Sequence, residues 1–556
     1  MMRHFRSLVS LRVRSVPGME RAVVRVLPGD SRVTIALRLI GIRRNLQRDR
    51  TELLGRTLTR IAATASKKVR GKEPGGEVPG VRLWYQGREV PGDEPNCSAW
   101  REGSVLEVGQ TRYLVERNPP SFLQLELPRS VLVGSPLSPR VQVEFGTIEA
   151  SEFVWYRQAG DSTKDEARDG WEEVGRGRVF TPGKTELGKR LKLMATPGDG
   201  HRQGPAVQTE LTGPVEDEPC HCLSDPRHLL TQSPAALPGF RTVSYNILAD
   251  IYAQTELSRT ALYPYCPDRA LERGYRQNLL RREVTGYRAD LLCLQEVERE
   301  TFEGSLGSVL GATGLDGTFR VKEKQHEGLA TFYRRDRFRL VSQHDVTLAE
   351  TLREDPVQSD LRHRLAGFPA VWDSVMRRST ALQVLVLEST DNPARKLCLA
   401  NTHLYFHPNG GNIRLIQMTV ALTHLRHVAC ELYPGIPVVF CGDFNSMPNS
   451  GIYRFVTSGS ISEDHEDWTS NGEEEQCNMA LTHPFKLASA CGTPDYTNYI
   501  GDFNGCLDYI FIDSLSLDVE RIIPLPSHEE VIRHKALPSV SHPSDHLALV
   551  CDLKWK

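Results

Sequence analysis

The chain has 556 residues, 25% of them charged and 39% hydrophobic, with a formal net charge of −2. That length exceeds one hydrophobic core, so roughly two to four domains of an ordinary soluble protein are expected, and no apolar run approaches the ~20 residues of a membrane-spanning helix. The charge is uneven: residues 1–117 hold 23 Lys+Arg against 12 Asp+Glu, leaving 45 against 58 in the remainder, which excludes a global basic field as the means of holding a polyanion there.

Residues 1–18, MMRHFRSLVSLRVRSVPG, contain Arg3, Arg6, Arg12 and Arg14, three serines and no acid. On a helix Phe5, Leu8, Val9 and Val16 share one side opposite the arginines, the pattern of a mitochondrial presequence. A secretory signal would need an apolar centre, which Arg12 and Arg14 interrupt. The mitochondrial matrix is the expected address, with a disordered basic tail as the plain alternative.

Across 19–117, β-like runs at 22–27 and 33–40 precede a helical pattern at 51–65 with Leu53, Leu54, Leu58 and Ile61 on one face. A Gly/Pro/Lys-rich loop at 67–80 leads to the strands of VRLWYQGREV and SVLEVGQTRYLVE. The order predicts a small β-grasp-like α+β domain, a scaffold or docking module whose basic surface meets solvent more readily than RNA. Asn118-Pro119-Pro120 then opens short alternating runs spaced by Gly and Pro, with Trp155-Tyr156 at the centre. These predict an immunoglobulin-like β-sandwich over 118–212, its aromatics serving as core.

From 213 to 239 the composition turns to Pro, Asp, His and Ser, as in a linker. Cys220-His221-Cys222 with His228 offers four soft ligands there, but the one-residue spacing is not that of a zinc knuckle, and linker cysteines are the simpler reading. None of the twelve cysteines forms a CxxC pair; Cys293, Cys398, Cys441 and Cys551 sit inside apolar runs, as buried thiols of a reducing compartment do.

Residues 240–556 alternate apolar strands with helical stretches at 275–287 and 413–432, whose Leu279, Leu280, Val284 and Ile413, Ile416, Val420, Leu425, Val428 predict packing against a sheet. Strands this apolar are covered on both faces, an α/β fold. Polar residues close these runs: Asn246 in TVSYNILAD, Glu296 in ADLLCLQEV, His403 in LCLANTHL, Asp443 and Asn445 in IPVVFCGDFNS, Asp508 in GCLDYIFID, and Asp545 with His546 in HPSDHLALV. Singly, each is a polar strand cap; together they place carboxylates, amides and imidazoles beyond one sheet edge. Carboxylate and amide oxygens without thiolate prefer Mg²⁺ or Mn²⁺ to zinc, and magnesium held by few carboxylates implies a phosphate ester as substrate. An Asp–His pair beside it supplies proton transfer, so metal-assisted hydrolysis of a P–O bond is the expected reaction.

In family order, SYNILAD, LQEV, NTHL, GDFNS, LDYIF and SDH resemble the endonuclease/exonuclease/phosphatase superfamily, whose fold is a four-layer α/β sandwich. YPYCPDRALERGYRQNLL, RLIQ, YTNYIGDFNGCLDYIFID and PSVSHPSDH are similar to the deadenylase branch, with nocturnin and the carbon-catabolite-repressor subunits. With its presequence, forward domains and IPLPSHEEV tail, the whole chain resembles the vertebrate 2′-phosphodiesterases, mitochondrial enzymes that remove adenylates from 2′,5′-linked oligoadenylate and poly(A) tails.

The resemblance implies Glu296 as principal ligand of one or two Mg²⁺ ions, helped by Asn246, with Asp545 supporting the second metal side. It implies Asp443 at the attacking water with a metal, Asn445 and His403 on the scissile phosphate, and His546 oriented by Asp508; either His546 or Asp443 would take the water's proton. Phe503, Pro408 and the Asn445 amide would bind adenine. Phe503 taken alone reads as core, and Pro408 as ordinary turn chemistry. Two other readings keep the fold: a phosphomonoesterase of a lipid or nucleotide phosphate, which would release inorganic phosphate instead of AMP, and an RNA-binding pseudoenzyme, which would not need a buried anionic cluster.

Overall fold

The computed structural model describes residues 19–39, 41–69, 79–159, 170–211, 213–322 and 326–556; the presequence expected at 1–18 lies outside the described residues. In the first unit a seven-stranded sheet runs in the order Ile42–Asp49, Arg32–Leu39, Glu20–Val26, Thr111–Arg117, Val105–Val108, Val81–Tyr85, Arg88–Glu89. Glu20–Val26 pairs parallel to Thr111–Arg117 at its centre, and the helix Leu54–Val69 covers one face, as in a β-grasp. Alternation sets the buried face: Ala22, Val24 and Val26 on one strand meet Val33, Ile35, Leu37 and Leu39 on the next. The strand Ile42–Asp49 was not legible, because this arginine-rich edge strand buries none of its residues.

A four-stranded sheet, Gly170–Arg176, Thr147–Ala159, Leu191–Gly198 and Val207–Glu210, and the ribbon Ser121–Glu126 with Arg140–Glu144 form the β-sandwich. Trp155 is fully buried there, stacked on Phe180 with ring centroids 5.5 Å apart, and its indole N–H donates to the Gly177 carbonyl.

Two sheets, one of six strands and one of seven, make the catalytic sandwich. One runs Leu315–Val321, Glu327–Arg334, Leu291–Glu298, Phe240–Asn246, Leu549–Trp555, Leu517–Ile522; the other runs Phe338–Gln343, Ala381–Ser389, Lys396–His403, Val438–Asp443, Asp508–Asp513, Leu487–Ser489, with Val346–Thr347 paired beside it. Their inner faces meet through Cys293, Leu385, Leu399, Val439, Cys441, Ile510 and Cys551. The helix Gly411–Arg426 covers the outside of the second sheet, and Arg273–Gly286 with Leu306–Ala312 the outside of the first, giving four layers.

Arg273–Gly286 departs from the expected one-sided stripe. Leu280 and Val284 pack on the sheet, but Leu279 packs on Leu132 and Cys222. On that outer side Arg281 Nε donates to the Pro136 carbonyl (3.0 Å) and the Asn278 side-chain oxygen accepts from Leu132 N–H, so the β-sandwich is seated on this helix. The segment read as a linker is likewise packed: within it, the helix Asp225–Leu230 buries Arg227, whose guanidinium donates to the carbonyls of Pro524 and Ala548 and to the Tyr287 hydroxyl. Its polar composition concealed this, since buried arginines are rare unless every donor is satisfied.

Candidate functional site

Strand register assembles the site. His403 stands opposite Asp443 in a parallel pair, and Asp443 stands opposite Asp508 in an antiparallel pair, so three functional side chains lie abreast at one edge of the second sheet. From the facing sheet, Asn246 closes Phe240–Asn246, and Glu296 follows Gln295, its register partner. Glu296 and Asn445 adopt positive φ (56° and 48°), a strain that non-glycine residues accept at positions fixed by their surroundings.

Asn246 bridges the two carboxylates: its amide donates to Glu296 (3.1 Å) and Asp443 (3.0 Å), while its carbonyl accepts from Leu248 N–H. The Asn246 side-chain oxygen keeps a second lone pair beside the Leu248 N–H. Glu296 also accepts from Ala249 N–H, so its hydrogen bonds come from uncharged donors. Burial and the nearby charge of Asp545 push its carboxyl above the usual range. Asn445 N–H donates to Asp443, and the Asn445 amide donates to the Leu404 carbonyl.

Two histidines flank Asp443 in opposite states. His546 Nδ1 donates to Asp508 (2.8 Å) with Nε2 3.6 Å from Asp443; burial alone would lower its pKa, but the charges of Asp508 and Asp443 outweigh it and hold the imidazolium well above its ordinary range. His403 Nε2 lies 3.5 Å from Asp443, while burial and then the Lys322 ammonium hold this ring neutral. Lys322 Nζ sits 3.0 Å from His403 Nδ1, which therefore accepts, leaving the proton on Nε2 toward Asp443. Burial and Asp508 push Asp443 up to about 6.

The hard-oxygen donor set suits a divalent cation. Among the described residues, Asp443, Asp508 and His546 bring candidate ligand atoms within 4.8 Å of one another, yet the Asp508–His546 hydrogen bond already uses one of these atoms. Glu296, half-buried and without a cationic hydrogen-bond donor, is the better anchor for an ion. Asp545 stands beside it: Ser544 Oγ donates to the Asn246 carbonyl, and the Asp545 carboxylate accepts from the Tyr263 hydroxyl (3.1 Å).

Phe503 and Pro408 lie on the rim. Phe503, in the hairpin Asn498–Ile500/Phe503–Gly505, is 41% exposed beside the equally exposed Met447 at Gly505. Pro408 is exposed in a loop whose carbonyls at 405, 407 and 408 accept from Arg414. Among the described residues, neither hydrogen-bonds to Glu296, Asp443, Asp508 or Asp545.

Sequence reading missed Lys322, Glu327, Tyr263 and Thr497. Lys322 lies in the charge-rich VKEKQHEG, where a lysine carries no signal, yet it is buried, 2.7 Å from Glu327. Lys322→Met is expected to destabilise the protein by about 3 kcal/mol, because Glu327 is left buried and unpaired. Lys322→Met/Glu327→Gln should recover most of that loss in denaturant unfolding, and equal stability of the single and double variants would refute the pairing.

Residues 243–546 match the model of the Endonuclease/Exonuclease/phosphatase family, and residues 119–216 match that of the 2′,5′-phosphodiesterase 12-like N-terminal domain. Fold and site thus define a member of the endonuclease/exonuclease/phosphatase class. The chain is 53% identical to 2′,5′-phosphodiesterase 12 of Bos taurus, over 98% of this chain and 95% of that protein, and 52% identical to that of Homo sapiens, over 97% and 94%. A solved structure of ANGEL2, a 2′,3′-cyclic phosphatase, is 24% identical with a TM-score of 0.47, covering 57% of this chain and 95% of that one. The chain belongs to the 2′,5′-phosphodiesterase 12 family.

Proposed function

We propose that the protein is a Mg²⁺-dependent phosphodiesterase and 3′-exoribonuclease that removes AMP stepwise from 2′,5′-oligoadenylates and from the poly(A) tails of mitochondrial RNA. The observation that carries this reading is the buried Asp443 between two histidines of opposite protonation, with Glu296 joined to it through Asn246. The family named for 2′,5′-phosphodiesterase activity supports the substrate, and the acid-free stretch at 1–18 supports the matrix address. No helix among the described residues is long and apolar enough to cross a membrane.

Glu296, with Asp443 and Asp545 nearby, would hold the ion, with Asn246 and Asn445 contributing their side-chain oxygens. The bound ion would supply Lewis-acid stabilisation of charge on the phosphate. In this reading Asp443 orients the attacking water and accepts its proton. His403 presents its Nε2–H and His546 its Nε2–H to the phosphoryl oxygens as charge builds, while Asn445 steadies the same phosphate. Water adds to phosphorus, the bond to the ribose oxygen breaks, and that oxygen takes up a proton as AMP leaves.

Phe503 supplies a face for adenine, with Pro408 and the Asn445 amide closing the subsite. A stacked base gains ~1–3 kcal/mol, so Phe503→Ala should raise KM for oligoadenylate at least about fivefold and weaken the preference for A. An unchanged base preference would remove Phe503 from the subsite.

Product analysis tests the whole reading. Equal-length 2′,5′- and 3′,5′-linked oligoadenylates, incubated with Mg²⁺, Mn²⁺ or a chelator, should both lose AMP one residue at a time only with metal. Inorganic phosphate in place of AMP would favour the phosphomonoesterase, and no product from folded protein would favour the binding module.

A further inference from the structure

Behind the carboxylate cluster, the helix Arg273–Gly286 carries Arg276, whose side chain is wholly buried and has no part in the chemistry described above. All three of its guanidinium nitrogens are used. Nε donates to the Pro543 carbonyl (2.8 Å), Nη1 to the Asp250 carboxylate, and Nη2 to two successive carbonyls, Ile247 (2.7 Å) and Leu248 (2.6 Å). Asp250 is buried as well and accepts from Gln277 of the same helix (2.9 Å), so the ion pair is itself anchored.

The two carbonyls matter for what lies across their peptide bonds. The Ile247 carbonyl and the Leu248 N–H belong to one planar peptide group, and the Leu248 carbonyl and the Ala249 N–H to the next. Leu248 N–H donates to the Asn246 side-chain oxygen (3.0 Å), and Ala249 N–H donates to Glu296 (2.9 Å). Fixing the oxygen end of a peptide plane fixes the direction of its N–H, and donation to that oxygen strengthens the N–H as a donor. Leu248, between the two carbonyls, sits at φ 55°, a backbone conformation that leucine keeps only where its surroundings hold it. On the other side, the Pro543 carbonyl precedes Ser544, whose hydroxyl donates to the Asn246 carbonyl (2.7 Å). One guanidinium thus ties the loop after Asn246 to the loop before Asp545. A cation set directly on Glu296 would compete with a metal ion, whereas one set behind two peptide groups orients the carboxylate and leaves its charge for the ion.

We propose that Arg276 is a positioning residue for the metal site, resting on Glu296 as the anchor of the ion: it seats Glu296 and Asn246 through the Ile247–Leu248 and Leu248–Ala249 peptide groups and so sets the affinity for the divalent cation.

Two measurements on the full chain test this role: Mn²⁺ binding without substrate, followed by electron paramagnetic resonance, and hydrogen exchange of the peptide spanning 246–251 in chelator. Arg276→Lys keeps a charge for Asp250 but loses the planar fork. Arg281→Lys is the control, because Arg281 is a buried guanidinium on the outer side of the same helix that donates to the Pro136 carbonyl and to Asn278. Arg276→Lys should weaken Mn²⁺ binding by about 10–100-fold, as loss of a group supporting a metal ligand predicts, and should speed exchange at Leu248 and Ala249 at least about tenfold, with Arg281→Lys unchanged in both. Activity lost at low Mg²⁺ should return as Mg²⁺ is raised, with KM for oligoadenylate unchanged, a split that general loosening of the fold would not give. The wild type supplies a check that needs no variant: both amides should already be protected in chelator, and exchange as fast as in an unfolded chain would overturn the role. Wild type that binds Mn²⁺ beside an Arg276→Lys that binds it equally would overturn Arg276 alone. Wild type that binds no Mn²⁺ would overturn the metal anchor at Glu296 and this role with it.

Discussion

Glu296→Ala, and the isosteric Glu296→Gln, should lower turnover of oligoadenylate in Mg²⁺ by about 10³-fold or more with the fold retained. A metal-held phosphate derives several kcal/mol of transition-state stabilisation from the ion, and ~1.4 kcal/mol is tenfold in rate. Stability should move the other way. Glu296 is half-buried without a cationic hydrogen-bond donor, and desolvation and then the charge of Asp545 hold its folded pKa above the ordinary carboxylate value. A raised pKa contributes stability that is fully present below the unfolded value and lost as pH rises through the folded one. At pH 7.5, in chelator, Glu296→Gln should therefore unfold at a higher temperature than wild type, and the two should converge as pH falls toward 4.5. Added Mg²⁺ should raise the transition of wild type alone. Activity within tenfold of wild type, or a variant less stable than wild type in chelator, would remove Glu296 as the metal anchor.

Of the residues that sequence reading brought to the site, Asn246, His403 and Asp443 close their strands, whereas Asp508, expected to close an apolar run, opens the strand Asp508–Asp513, and Glu296 stands two residues before the end of Leu291–Glu298. A polar group after a buried run points beyond the sheet edge, which makes Asn246, His403 and Asp443 legible; Asp508 reaches the same edge because its strand runs antiparallel to Val438–Asp443. Register then does what sequence cannot: it sets His403, Asp443 and Asp508 abreast, which puts the carboxylates that charge His546 together, while burial and Lys322 keep His403 neutral. Lys322 and Thr497 stand among polar neighbours, where nothing separates a buried group from a solvated one. Composition misled at 213–239 for a related reason, since Arg227 is buried by satisfying its donors on backbone carbonyls, a pattern that leaves no apolar trace. Leu279 belongs to a helical stripe in sequence but faces the β-sandwich, because the helix Arg273–Gly286 has a second partner that periodicity along one segment does not reveal.

Asp508→Asn separates charge from position at the other histidine. Two donors converge on one Asp508 oxygen, the His546 ring N–H at 2.8 Å and the Thr497 hydroxyl at 2.6 Å, while the second oxygen is enclosed without a partner. An asparagine carbonyl can receive both donors, with its amide in the place of the unpartnered oxygen, so the His546 ring keeps its seat. What disappears is the negative charge that opposes the effect of burial on the imidazolium. The buried amide left without an acceptor costs about 1–3 kcal/mol, enough to lower the unfolding temperature without unfolding the protein at 25 °C. Loss of a charged donor at the phosphate should lower kcat by about 10³-fold, within the range for acid–base groups, with KM nearly unchanged because adenine contacts on the rim are untouched. Rate measurements across pH 6–9 on the folded variant decide the matter. A kcat within tenfold of wild type throughout would mean that His546 needs no counter-ion, and that Asp508 serves only to complete the strand pair with Asp443.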